Sequence, residues 1–273
     1  MEFVKMHGTG NDFIFILDLE SKLKGQESKI AKNLCHRRFG IGADGLVLVR
    51  NSNCADMKMD IINSDGSSAN MCGNAIRCFG KYVYENSLVL KDEIKVETGD
   101  GIKVLNLNID EYNIVQDVRV YMGEISFDGS RIPLKDKKEL INEKITVNGK
   151  EYNATSILVG VPHTVILVDD DDYNVEEGKY IEKYELFLEG TNVNFVKVID
   201  DENIRVETWE RGAGATYSCG TGCSASAVVC NKLRNTRGKV NVFVPGGKLV
   251  IEIVNNSIFM IGGAEIICRG IVY

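Results

Sequence analysis

Long hydrophobic runs are missing from this 273-residue chain, and so is any basic excess. No apolar stretch approaches the roughly 20 residues that span a bilayer, and no basic segment followed by an apolar one opens the sequence as a secretory leader would. With 39 acidic against 32 basic side chains the formal charge is −7, which argues against a nucleic-acid or anionic-membrane partner. Low-complexity segments are absent. So are the paired Cys-x-x-Cys spacings of a structural zinc site, and no metal is expected. The expected compartment is the cytoplasm, where the eight cysteines would be reduced thiols and not a disulfide scaffold.

What is present is ordinary globular chemistry: 44% hydrophobic and 26% charged residues, in a length that suits two modest domains. Period-2 apolar runs bounded by turn residues predict strands at 13–17, 46–49, 102–105, 165–168, 195–198 and 249–253. Helical patterns cover roughly 27–38, 72–86, 175–188 and 219–233, and the polar, lysine-rich stretch 128–150 around Pro133 reads as a linker.

Two segments repeat one another. Asn63 precedes Cys72 by nine residues and Glu210 precedes Cys219 by nine, and each cysteine is followed by Gly, a small polar residue and a helical run. Asp44 lies 28 residues before Cys72, and Asn192 lies 27 before Cys219. The Gly99-Asp-Gly101 turn ends 29 residues after the first cysteine, and the Pro245-Gly-Gly247 turn ends 28 after the second. His7-Gly-Thr-Gly-Asn11 and Val161-Pro-His163 stand near the start of each half. Matched landmarks of this kind imply two domains of one topology related by a pseudo-two-fold axis, with a pocket between them. The expected halves are 1–119, carrying Cys72, and 120–273, carrying Cys219, with roughly the last ten residues packing back onto the first half. No charged residue occurs from Gly212 to Asn231. A helix that is small or apolar on every side is buried, most simply inside a curved sheet. Arg77 and Lys81 give the first helix a more polar face.

A cysteine at the first turn of a helix sits beside outward-facing backbone N–H groups and the positive end of the helix dipole, and both favour the thiolate. The N–H groups of Gly73, Asn74, Gly220 and Thr221 would cradle an anion. Two such termini aimed at one carboxylate would stabilise the charge that grows as an α-proton leaves. One cysteine as thiolate would then remove the α-proton while the other, as thiol, donates from the opposite face. No lysine setting suggests pyridoxal phosphate, and Gly8-Thr-Gly10 precedes a strand instead of linking strand to helix, so it reads as a glycine turn with Asn11 as a pocket residue. No cofactor is expected. His163 suits a structural or a functional role equally well, the repeat favouring the second. Glu210 and Arg211 would be solvated surface charges elsewhere. Beside the glycine turn leading to Cys219 they offer a counter-charge to an ammonium and a bidentate partner to a carboxylate.

These motifs (His7-Gly-Thr-Gly-Asn-Asp-Phe13, Arg38-Phe-Gly-Ile-Gly-Ala-Asp-Gly45, Asn63-x-Asp-Gly-Ser, Met71-Cys-Gly-Asn-x-x-Arg-Cys78, Gly190-Thr-Asn192, Glu210-Arg-Gly-Ala-Gly and Cys219-Gly-Thr-Gly222) span nearly the whole chain. Together they resemble the diaminopimelate epimerases. The resemblance implies a mixed α+β fold of two pseudo-symmetric α/β domains, each a curved, mostly antiparallel sheet around a central helix. It also implies a pyridoxal-independent isomerase whose acid/base pair is Cys72 and Cys219, acting on a small amino-acid substrate and assembled as a homodimer. By the same resemblance Asn11, Asn63, Asn192, Glu210 and Arg211 match substrate-binding positions, Gly73, Asn74, Gly220 and Thr221 match the backbone cradle, and His163 with Glu210 matches the groups that tune a thiol.

Three positions depart from the family pattern. Val161 stands where the family usually has Asn, Ala215 where it has Glu, and Cys223 where alanine is common. One lost amide at the distal end of a substrate is worth about 1–2 kcal/mol. Two other readings therefore stay open: racemisation or epimerisation of another amino acid such as histidine or lanthionine, and a non-catalytic thiol protein that binds metal or senses redox state.

Overall fold

Apolar residues at every second position make strands the dominant element. In β13, Asn203–Glu210, the even positions Ile204, Val206 and Thr208 are buried between more exposed neighbours, the pattern of a sheet with one covered face. The computed structural model describes residues 1–169 and 173–273. Its contacts divide the chain into one unit of Met1–Val120 with Gly262–Tyr273 and another of Tyr121–Ile261.

The first unit is built from β1 (Glu2–Gly8), β2 (Asn11–Leu17), β3 (Gly45–Arg50), β4 (Met57–Asn63), β5 (Ser68–Ala69), β6 (Glu93–Thr98), β7 (Gly101–Ile109) and the start of β8 (Val115–Glu124). Helices α1 (Glu27–Leu34) and α2 (Gly73–Glu85) interrupt them, and β18 (Glu265–Ile271) returns to pair antiparallel with β1. The second holds β9 (Glu143–Val147), β10 (Lys150–Val159), β11 (Val161–Val168), β12 (Asn192–Val198), β13, β14 (Gly214–Thr216), β15 (Lys239–Val244), β16 (Gly247–Val254) and most of β17 (Ser257–Gly262). Its helices are the four-residue α3 (Gly178–Ile181) and α4 (Gly220–Arg234).

Strand pairing repeats between the units. In the first, β1–β2 is antiparallel, β2–β3 parallel, β3–β4 and β4–β5 antiparallel, β4–β6 parallel, and β6–β7 and β7–β8 antiparallel. In the second, β10–β11, β11–β12, β12–β13, β13–β14, β13–β15, β15–β16 and β16–β17 follow the same succession. Each sheet is mostly antiparallel and encloses one helix. Every residue of α2 from Asn74 to Val83 is buried, and in α4 burial runs from Gly222 to Cys230. α2 packs on β1, β2 and β7, while α4 packs on β10 to β13, β15 and β16. A helix with no charge before Lys232 has no face that water would favour.

Three expectations need correction. Segment 175–188 is not one helix: a 3-10 turn at Val175–Glu177 and the single turn of α3 are all that form. Leu186 and Phe187 are adjacent yet both buried, and Phe187 bridges to Leu134, which needs extended backbone there. Nor is 128–150 a linker. Ile132, Leu134, Leu140, Ile145 and Val147 belong to the apolar core of the second unit. The first predicted helix also ends early, at Leu34, where the chain turns back with the N–H of Gly42 bonded to the Leu34 carbonyl. No helix among the described residues is long and apolar enough to cross a membrane.

Candidate active site

Topology gathers the marked residues of each unit. β2 and β3 run parallel and β4 antiparallel to β3, so Asn11 at the start of β2, Asp44 just before β3 and Asn63 at the end of β4 lie at one end of those strands. The second unit repeats this with His163 near the start of β11, Asn192 opening β12 and Glu210 closing β13. In both units a short strand and a turn then lead into the buried helix through the cysteine. Cys72 and Cys219 are the N-caps of α2 and α4, each with extended backbone. Their carbonyls accept the first helical bonds, from Ile76 at 3.0 Å and Cys223 at 2.8 Å. Gly73, Asn74, Gly220 and Thr221 thus form the opening turns, whose N–H groups point outward past the cap.

In the first unit the hydrogen bonds around Cys72 have a fixed polarity. Fully buried Arg77 can only donate, and it gives one bond to Asn74 Oδ1 at 3.0 Å and one to the Gly73 carbonyl at 3.2 Å. Asn74 must then turn Nδ2 toward Asn11 Oδ1, at 3.2 Å, and Asn11 gives its own Nδ2 to Asp44 Oδ2 at 2.6 Å. The Cys72 thiol donates to the same Asn11 oxygen at 3.6 Å. Arg37 bridges Asp44 and Asp12 and anchors the far end of the chain. Asn63 lies at the turn into β5, its Nδ2 on Ser67 Oγ at 2.9 Å.

The second unit is drier. Cys219 and Asn192 are each only 7% exposed, and His163 is fully buried. Burial pushes the Cys219 thiol well above its ordinary pKa and the neighbouring Glu210 carboxylate pushes the same way, while the Thr221 hydroxyl and the Gly222 N–H oppose them. Burial likewise raises Glu210, against the Thr216 hydroxyl and the Cys219 thiol. The helix-start argument, taken alone, predicts a lowered thiol. At Cys219 desolvation and a nearby carboxylate outweigh the Thr221 hydroxyl and the Gly222 N–H that favour the thiolate. Asn192 engages both ends of its amide with backbone: Nδ2 gives to the Pro162 carbonyl and Oδ1 accepts the Arg211 N–H, each at 2.9 Å. It shapes the turn that presents Arg211, whose guanidinium reaches the Glu189 carbonyl. Burial lowers His163 to about 3, helped by the charge of Arg211.

Sequence reasoning treated Asp44 as a landmark, Arg77 as a polar helix face, and overlooked Asn194 and Thr208. The signal for Asn194 was a second polar residue at period 2 after Asn192, inside an apolar strand. Among the described residues, no three His, Cys, Asp or Glu side chains converge as a metal would need.

The diaminopimelate epimerase family model matches residues 3–127 and 155–267. The diaminopimelate epimerase of Clostridium perfringens is 52% identical, over 99% of this chain and 98% of that protein. The one from Caldanaerobacter subterraneus is 49% identical over the same shares. Among solved structures, a phenazine biosynthesis protein of the PhzF family from Bacillus anthracis covers 100% of this chain and 99% of its own, at TM-score 0.74 and 13% identity. A probable proline racemase from Agrobacterium radiobacter covers 100% of this chain and 92% of its own, at TM-score 0.69 and 13% identity. Those two likenesses establish the pseudo-symmetric two-domain fold. With paired N-cap cysteines, a doubled succession of strand pairings and near-complete coverage of close relatives, the chain belongs to the diaminopimelate epimerase family.

Proposed function

We propose that the protein interconverts LL- and meso-2,6-diaminopimelate in the cytoplasm, without pyridoxal phosphate, as a step in lysine biosynthesis. The observation that carries this reading is the pair of cysteines capping the buried helix of each unit at the same topological place. One thiolate takes the α-proton, the other thiol delivers a proton to the opposite face, and the two exchange protonation states with each turnover. Opening-turn N–H groups at Gly73, Asn74, Gly220 and Thr221 bind the substrate carboxylate and stabilise charge delocalised into it as the proton leaves. Because Cys219 is buried beside Glu210, it begins as the thiol and donates, and Cys72 is the first base. Thr221 and the Gly222 N–H stabilise the Cys219 thiolate left behind. Asn11, Asn63, Glu210 and Arg211 hold the polar groups of the substrate, His163 tunes the second thiol, and the protein acts as a homodimer.

Deuterium uptake at Cα tests the reaction. Reduced protein incubated with LL-diaminopimelate in D2O should label Cα, and absence of label would end the proposal. A second reading, racemisation of another amino acid, is motivated by Val161, which is 39% exposed at the start of β11. A substrate panel separated by chiral chromatography decides between them, histidine or lanthionine turning over faster than diaminopimelate being the outcome that favours the second.

A further inference from the structure

We infer that Asn194 is a positioning residue that holds His163 as the neutral tautomer with its proton on Nε2. The functional meaning rests on the reading of Cys219 as a proton-transfer thiol; the assignment itself rests on geometry. Asn194 lies in β12 and is fully buried. Its amide can be oriented in only one way. The Thr164 carbonyl, at 3.4 Å, is an acceptor alone, so the group facing it must be NH2. Oδ1 on the other side accepts from the Thr208 hydroxyl at 3.0 Å. The second amide hydrogen is then directed at His163 Nδ1, 3.2 Å away. A donor at that distance requires a lone pair on Nδ1, which places the ring proton on Nε2.

Nε2 has no hydrogen-bond partner within the protein and is buried. A buried N–H without an acceptor is costly and is satisfied when an acceptor arrives. With Nδ1 occupied by Asn194 and the proton on Nε2, His163 offers a hydrogen bond on that side and no free lone pair, so it acts as a donor and not as a base. Asn194 also adjoins the opening turn of α4. A Cβ built on Gly222 would fall 2.3 Å from Asn194 Oδ1, 3.3 Å from Thr208 Oγ1 and 3.3 Å from Cys219 Cβ. Amide, hydroxyl and cysteine meet around one glycine, so the residue that orients His163 is packed against the turn that carries the thiol.

Nitrogen-15 NMR of the full-length reduced protein tests this. Three histidines give three ring spectra, and the one missing in His163→Gln belongs to His163. The wild-type ring is expected protonated on Nε2 alone, and a proton on Nδ1 overturns the inference. In Asn194→Asp the new carboxylate accepts at Nδ1, so Nδ1 should become protonated, and kcat should fall by roughly tenfold to a hundredfold with KM changing little. An unchanged tautomer in that variant refutes the positioning role. If Asn194→Asp fails to fold, Asn194→Leu removes the donor at similar volume and should lose the single tautomer, while keeping it counts against the proposal. These spectra need no substrate, so a wrong tautomer and a failure of Cα exchange are separate results.

Discussion

Replacing Gly222 by alanine should damage this protein far more than replacing Gly220, two residues earlier in the same opening turn. Both changes gain the same intrinsic helix preference, at most about 1 kcal/mol. They differ in what the added methyl meets. At Gly220 the nearest atoms are the Met260 sulfur at 2.9 Å and its methyl at 3.4 Å, and an unbranched thioether can swing aside. At Gly222 the methyl would lie 2.3 Å from Asn194 Oδ1. That oxygen must retreat by about an ångström to reach ordinary contact, yet the amide is held by Thr208, Thr164 and His163. Overpacking costs about 1–3 kcal/mol, and a buried partner left unmet adds about 1–3 kcal/mol. The net loss after the helix gain is about 1–5 kcal/mol, or a Tm lower by roughly 2–15 °C for a protein of this size. Thermal unfolding of both variants measures it, with Gly220→Ala expected within about 1 kcal/mol of wild type. A Gly222→Ala protein as stable as Gly220→Ala would show that the contact is not the constraint described.

Alkylation of native reduced protein at mildly alkaline pH should modify half-buried Cys72 before buried Cys219, whose thiolate is disfavoured; peptide mapping with the opposite order would contradict the starting roles proposed. Burial raises Cys35, Cys78 and Cys230 to about 12 from an ordinary 9.0. A folded-state pKa above the unfolded value means their contribution is complete below pH 9 and is lost as pH rises toward 12, at up to about 1.4 kcal/mol per pH unit for each thiol. Urea titrations at rising pH should show this slope, and Cys230→Ala should make it shallower. His163 runs the other way: with a folded value of about 3 against an ordinary 6.5, its contribution is complete above pH 6.5 and is lost on acidification toward 3. The loss is at most about 4–5 kcal/mol. His163→Gln should flatten stability between those limits, and an unaltered acid profile would show that the imidazole is not buried neutral.

Much of the architecture was legible because it is written in short-range patterns. Alternation at 13–17 and 195–198 marks β2 and β12, and the uncharged run from Gly212 to Asn231 marks a helix with no solvent face. Cysteine followed by glycine and a small polar residue marks both N-caps. Where reading failed, residues answered to distant partners. Leu134 and Phe187 pair across more than fifty positions and turn a polar-looking segment and half of a helical pattern into core. The return of β18 to β1 joins opposite ends of the chain.

The sequence alone determined the duplicated plan, the two cysteines at helix starts and the identity of the polar residues ahead of them. Each follows from spacing along the backbone, which needs no knowledge of what lies across the sheet. Only the tertiary structure decided how those groups are charged and aimed. Whether Cys219 rests as thiol or thiolate depends on the water removed around it and on Glu210 beside it, and these outweigh the Thr221 hydroxyl and the Gly222 N–H that favour the thiolate. Whether Asn192 meets ligand or backbone, and which nitrogen of His163 holds the proton, depends on the Pro162 and Thr164 carbonyls and the Asn194 amide, brought together from strands about thirty residues apart. Hydrogen-bond polarity and burial are properties of assembled neighbours, and no local pattern carries them.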